Sequence, residues 1–106
     1  MRQNIKIRNV VDGEGNPAGG MAHSEGNDGV TIHWQDGPVK DGKPNGAFVE
    51  DILEICQRRI EFYQNSKFAC GENAMAIEFI ACARNMLGRR YARRVEAGTA
   101  NSHEGN

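Results

Sequence analysis

Glycine and proline divide this chain at residue 46, and the division decides where helices can form. Residues 1–46 hold nine of the 13 glycines and all three prolines, while residues 47–106 hold four glycines and no proline. Proline breaks helices and glycine weakens them, so long helices belong to the second part. At 106 residues there is room for one small domain. It reads as a Gly-rich β element over 1–46, a helix hairpin over 47–96 and a polar tail over 97–106.

Within the first part, Ile5 and Ile7 alternate with Asn4, Lys6 and Arg8, the pattern of a half-buried strand. Val30, Ile32 and Trp34 alternate with Thr31, His33 and Gln35 and mark a second strand. Between them, Asp12–Gly29 contains six glycines and few apolar residues. It reads as a long loop, of the length usually reserved for function or disorder. Asp36–Pro44 reads as a shorter turn region.

In the second part, Val49, Ile52, Leu53, Cys56, Ile60 and Tyr63 recur at helical steps and predict an apolar stripe. Asn45 is placed to cap this helix, and Glu50, Asp51 and Glu54 lie near its positive end. Gln64–Gly71 reads as the turn. A second helix is predicted from about Glu72 to Val95, with Ala76, Ile77, Ile80, Ala83, Leu87 and Tyr91 as its stripe and Gly88 as a potential break. The fold class is therefore α+β: a small N-terminal antiparallel sheet with Gly-rich loops, followed by an antiparallel two-helix hairpin. Such a hairpin has a thin core, and Phe79 and Met86 fall off the stripe. Self-association is the expected remedy.

Composition excludes several classes of function. Lys+Arg number 13 against 14 Asp+Glu, a net charge of -1 and not the excess that duplex nucleic acid demands. No apolar run approaches a membrane span, and no secretory leader is visible. Cys56, Cys70 and Cys82 form no C-x-x-C pair, which points to a reducing compartment. With His23, His33 and His103 they match no structural zinc spacing. Cys56 and Cys82 read as small core residues. No nucleophile–base pair, paired carboxylates or metal-hydrolase motif is evident, so neither a catalytic residue nor a cofactor is assigned.

Three features carry binding chemistry. Arg84, Arg89, Arg90, Arg93 and Arg94 crowd the end of the second helix. They suit the helix dipole and the acids of an antiparallel partner, and they also suit phosphate, which guanidinium grips with two parallel hydrogen bonds. The adjacent Phe62 and Tyr63 cannot both face one core, which leaves a ring free to stack on a base or on a partner chain. Asn73 is placed as a cap or turn residue, and its amide also suits an adenine edge. Trp34 reads more as core than as a ligand platform.

Several segments together resemble a phage family. They are Ala18-Gly19-Gly20, Ile32-His33-Trp34-Gln35-Asp36-Gly37-Pro38, Asn45-Gly46-Ala47-Phe48-Val49-Glu50-Asp51, Arg59-Ile60-Glu61-Phe62-Tyr63-Gln64 and Phe68-Ala69-Cys70-Gly71-Glu72-Asn73-Ala74. Arg89-Arg90 and Val95-Glu96-Ala97-Gly98-Thr99 follow. Nearly the whole chain is similar to the first Thoeris anti-defence family, small phage proteins that act as sponges for immune nucleotide signals. A related hairpin domain occurs in sponges that oppose CBASS signalling. The resemblance implies an N-terminal antiparallel sheet and two long helices, assembled into dimers and hexamers in the cytoplasm of the infected bacterial host. It implies sequestration of glycocyclic ADP-ribose, and of cyclic di- or trinucleotides, without cleavage. The implied ligand positions are the aromatic at Tyr63, the amide at Asn73 and the arginine at Arg90. Phe62, Trp34, Gln35, Lys40, Arg94 and Thr99 complete the expected set. Where the family uses a basic residue after its W-Q-x-G-P motif, this chain offers Lys40 and Lys43, point charges without the arginine fork.

The residues fit that chemistry on their own terms. A cyclic nucleotide is small and anionic with flat bases, and Tyr63, Asn73 and Arg90 supply a ring face, an amide and a charged fork. Nanomolar capture needs about -12 kcal/mol. A site buried between protomers supplies that better than a groove on one thin hairpin. Two other classes remain open from the residues alone: an enzyme degrading the same signals, and an oligomeric module binding protein or single-stranded nucleic acid.

Overall fold

The computed structural model describes residues 4–96 and has the α+β architecture that the sequence predicts. Three strands, β1 (Ile5–Val11), β2 (Pro17–Ser24) and β3 (Thr31–His33), form an antiparallel sheet in the order β1-β2-β3. Two helices follow, α1 (Val49–Gln64) and α2 (Gly71–Glu96).

β2 corrects the expectation of a long loop, because it occupies the middle of Asp12–Gly29. Its segment Pro17-Ala18-Gly19-Gly20 lacks a period-two apolar pattern, yet ladder hydrogen bonds need only backbone. Ile5 pairs with Ser24 and Asn9 with Gly20, after which the register shifts and Val11 pairs with Pro17. Two steps on β1 thus face three on β2, a bulge made possible by the positive φ of Gly19 (80°) and Gly20 (125°). The remaining connections are short. In the first, the Asp12 carboxylate accepts hydrogen bonds from the backbone N–H of Glu14 and Asn16. In the second, the buried Ser24 hydroxyl donates to Asn27 Oδ1 and accepts the Val30 N–H.

Asn45 does not cap α1; the cap position is Phe48, which makes no side-chain cap bond. Asn45 instead pairs with the backbone of Asp36 through both ends of its amide, at 2.8 Å each. Gln35 completes the knot, its Oε1 accepting the N–H groups of Asn45 (2.8 Å) and Gly46 (3.2 Å). Residues 34–48 are thereby stitched into one connector. A β-carbon at Gly46 would lie 2.6 Å from the Trp34 carbonyl, so only glycine lets these strands of chain meet.

The helices form an antiparallel hairpin. The two helices pack on each other, and Leu53, Ile60 and Tyr63 of α1 and Ile77, Ile80 and Leu87 of α2 are half-buried. Gly88 does not break α2, which runs unbroken for 26 residues. The backbones of the strands and helices stay apart; the connector joins the sheet to the hairpin, and both border one cleft. The result is open, with a radius of gyration of 16.2 Å where a compact domain of this size has about 13 Å. Among the described residues no apolar side chain is fully buried. Cys56 and Cys82, expected in the core, are both exposed, as is Ala83.

Candidate ligand-binding site

Polar and aromatic groups gather at both ends of the hairpin. At its base a cleft of about 1060 Å³ opens between the sheet, the connector and the helices. Val10, Val11 and Pro17 form its sheet side, and Trp34, Gln35 and Val39 its connector side. Glu50 and Asp51 at the start of α1 face Arg90, Tyr91 and Arg94 near the end of α2. The antiparallel course of the helices sets this arrangement, and each charge complements the dipole of its own helix. The cleft therefore joins an apolar and aromatic wall to a wall of mixed charge. Trp34, expected in the core, is a half-buried part of that wall.

At the tip, Phe62 and Tyr63 end α1 with ring centroids 6.4 Å apart. Tyr63 is half-buried and Phe62 is 62% exposed, the division expected of neighbouring aromatics. The Arg59 guanidinium lies 5.2 Å from the Phe62 centroid and 4.9 Å from that of Tyr63, and its Nε donates to the Tyr63 hydroxyl at 3.0 Å. Asn73, in the first turn of α2, donates from Nδ2 to the Phe68 carbonyl at 3.1 Å. Its side-chain oxygen faces no donor among these bonds, so the amide ties the turn while keeping an acceptor. Gln64 Oε1 accepts the Cys70 N–H and closes the same turn.

Midway, Arg84 donates to Gln57 at 3.0 Å and to Glu54 at 3.2 Å, linking the helices. Glu54 also accepts from Arg58 at 2.8 Å. The Arg58 hydrogen bond and charge, with help from Arg84, hold the Glu54 carboxyl below its ordinary pKa. Of the five clustered arginines, Arg84 is thus a structural tie. Arg90 and Arg94 line the cleft.

No protein-family model matches the chain. Over 75 residues, 71% of its length, it is 39% identical to a protein named "Thoeris anti-defense 1" from Bacillus phage SBSphiJ7. The chain belongs to the Thoeris anti-defence family. It spans about half the length of that relative, the match taking in 53% of it.

Within one copy of the chain, the expected ligand residues fall into two separate groups. Phe62, Tyr63 and Asn73 sit at the tip; Trp34, Gln35, Arg90 and Arg94 sit at the base. Asn73 and Arg90 stand 17 positions apart on α2, about 25 Å at 1.5 Å per residue. Gln35 lines the cleft, but its side chain is engaged in the connector. Lys40 projects from the connector as an exposed residue outside the cleft lining. Thr99 and His103 lie outside the described residues. Among the described residues no three His, Cys, Asp or Glu side chains group as a metal site, and no helix is long and apolar enough to cross a membrane. Sequence reasoning missed Arg59, although its i, i+3, i+4 spacing to Phe62 and Tyr63 is the signal of a shared helix face.

Proposed function

We propose that this chain is a phage anti-defence sponge. It binds cyclic nucleotide immune signals in the cytoplasm of the infected host and holds them without cleaving them. Glycocyclic ADP-ribose and cyclic di- or trinucleotides are the expected ligands. The observation that carries the reading is the kinship with a phage anti-defence protein. The side chains fit the ligand class. Arg90 offers a charged fork beside the Trp34 wall, Arg94 lines the same cleft, and Tyr63 and Asn73 offer a ring and an amide acceptor.

The 25 Å between tip and base exceeds what one compact nucleotide spans, so a complete site joins the tip of one copy to the base of another. Dimers, and hexamers built from them, provide that arrangement. The apolar surface left uncovered on each hairpin favours it.

The deciding experiment is capture and release. The protein is incubated with glycocyclic ADP-ribose, separated from free ligand and heat-denatured, and the supernatant is analysed by mass spectrometry. Intact ligand in stoichiometric amount is the expected result. A cleaved product would overturn the sponge in favour of an enzyme.

A further inference from the structure

We infer that Arg59 is a phosphate-binding residue, set in place by Tyr63 and Phe62. The inference rests on the nucleotide-binding reading above. Arg59 occupies the outer surface of α1 one turn before the aromatic pair. Three contacts fix its guanidinium: the 3.0 Å hydrogen bond from Nε to the Tyr63 hydroxyl, and the faces of both rings at 5.2 and 4.9 Å. None of the ion pairs among the described residues uses it, in contrast to Arg58 and Arg84, which are both tied to Glu54. Its terminal Nη groups make no hydrogen bond to the described protein.

A guanidinium held this way differs from an ordinary surface arginine. Its plane is already chosen, so less side-chain entropy is lost on binding. Its polar edge away from Nε presents N–H groups in the fork that matches two phosphate oxygens. The aromatic rings supply a cation–π surface that keeps the charge at the tip without neutralising it. Tyr63 thus serves twice. Its ring belongs to the stacking pair, and its hydroxyl orients the cation that takes the phosphate. A nucleotide whose base lies against the tip aromatics has its phosphate within reach of Arg59. Specificity for phosphate-bearing ligands then follows from the tip itself, apart from the arginines at the base.

Calorimetry with glycocyclic ADP-ribose and a panel of cyclic di- and trinucleotides, at low and moderate salt, tests the assignment. Arg59→Ala is expected to weaken the tightest ligand by about 10-fold or more and to flatten the salt dependence, with oligomeric state unchanged. Arg59→Lys restores the salt dependence but only part of the affinity, because it keeps the charge and loses the fork. Tyr63→Phe weakens binding by roughly 3-fold in the native background and has no further effect when combined with Arg59→Ala. Wild-type affinity in Arg59→Ala, or weakened binding with an unaltered salt dependence, would overturn the assignment while leaving the sponge reading intact. If the native protein binds none of the panel, the sponge reading fails instead. Titration with inorganic pyrophosphate then still judges Arg59: its Nε–H resonance in NMR is expected to shift saturably, and a static resonance rejects the site.

Discussion

At Gly20 a β-carbon would sit 2.4 Å from the Arg8 carbonyl oxygen, and the backbone holds φ at +125°. Both the space and the torsion reject a side chain. Gly20→Ala is therefore expected to destabilise the protein by about 1–3 kcal/mol or more, from the torsion alone. Gly88 is the opposite case: it lies inside α2 with open space around its missing β-carbon. Gly88→Ala is expected to stabilise by up to roughly 1 kcal/mol through helix propensity. Chemical denaturation of the pair at equal protein concentration checks both signs. The contrast explains what composition conceals. The glycines that break a helical reading of residues 1–46 include ones that a strand requires, whereas the glycine in α2 is merely tolerated. The same residue scale accounts for Asn45 and Asn73. Both were legible as capping types, but an asparagine amide bonds whichever backbone comes near. Only the fold brings Asp36 to Asn45 and Phe68 to Asn73.

Among the elements, the two helices were legible because their apolar residues recur at three- and four-residue steps over many turns. The strand β1 was legible from Ile5 and Ile7, and β3 from its alternation. β2 was not, since Pro17, Ala18, Gly19 and Gly20 carry no face pattern and their pairing is a property of the neighbouring strand. The tie between the helices gives an element-scale prediction. Glu54 is held below its ordinary pKa by Arg58 and then Arg84, so its carboxylate favours the folded hairpin. A depressed pKa contributes stability above the unfolded carboxylate pKa, and that contribution fades as pH falls toward the lower folded value. Glu54→Gln is expected to lower the melting temperature at neutral pH and to match the native protein once the medium is acidic enough to protonate Glu54. Because all three side chains are solvent-accessible, the difference at neutral pH also shrinks in high salt. Thermal melts across pH and salt would reveal it; a gap that persists in acid would assign the loss to packing.

Among the described residues of one chain no apolar side chain is fully buried. Met75, Phe79, Cys82 and Met86 recur along α2 at steps of four, three and four, away from the face that meets α1, and Phe79 is 65% exposed. A second copy covering this stripe would supply the buried surface that one chain lacks. Phe79→Glu is expected to raise the dissociation constant of the assembly by about 30-fold, the effect of losing a contact worth roughly 2 kcal/mol at the centre of an interface. Light scattering on a dilution series measures it. The same scale decides how the ligand site is built. Asn73→Ala and Arg90→Ala are each expected to abolish capture while leaving the assembly intact. If tip and base come from different copies, a mixed pair of these two variants contains one doubly damaged site and one intact site. Random mixing places the variants together in half of all pairs, so about a quarter of the native binding capacity is expected to return when the variants are unfolded together and refolded. Calorimetric stoichiometry reads this directly. A mixture that stays inactive, although the two variants demonstrably co-assemble, would place tip and base functions within one chain. The division along α2 would then need a ligand long enough to reach from Asn73 to Arg90.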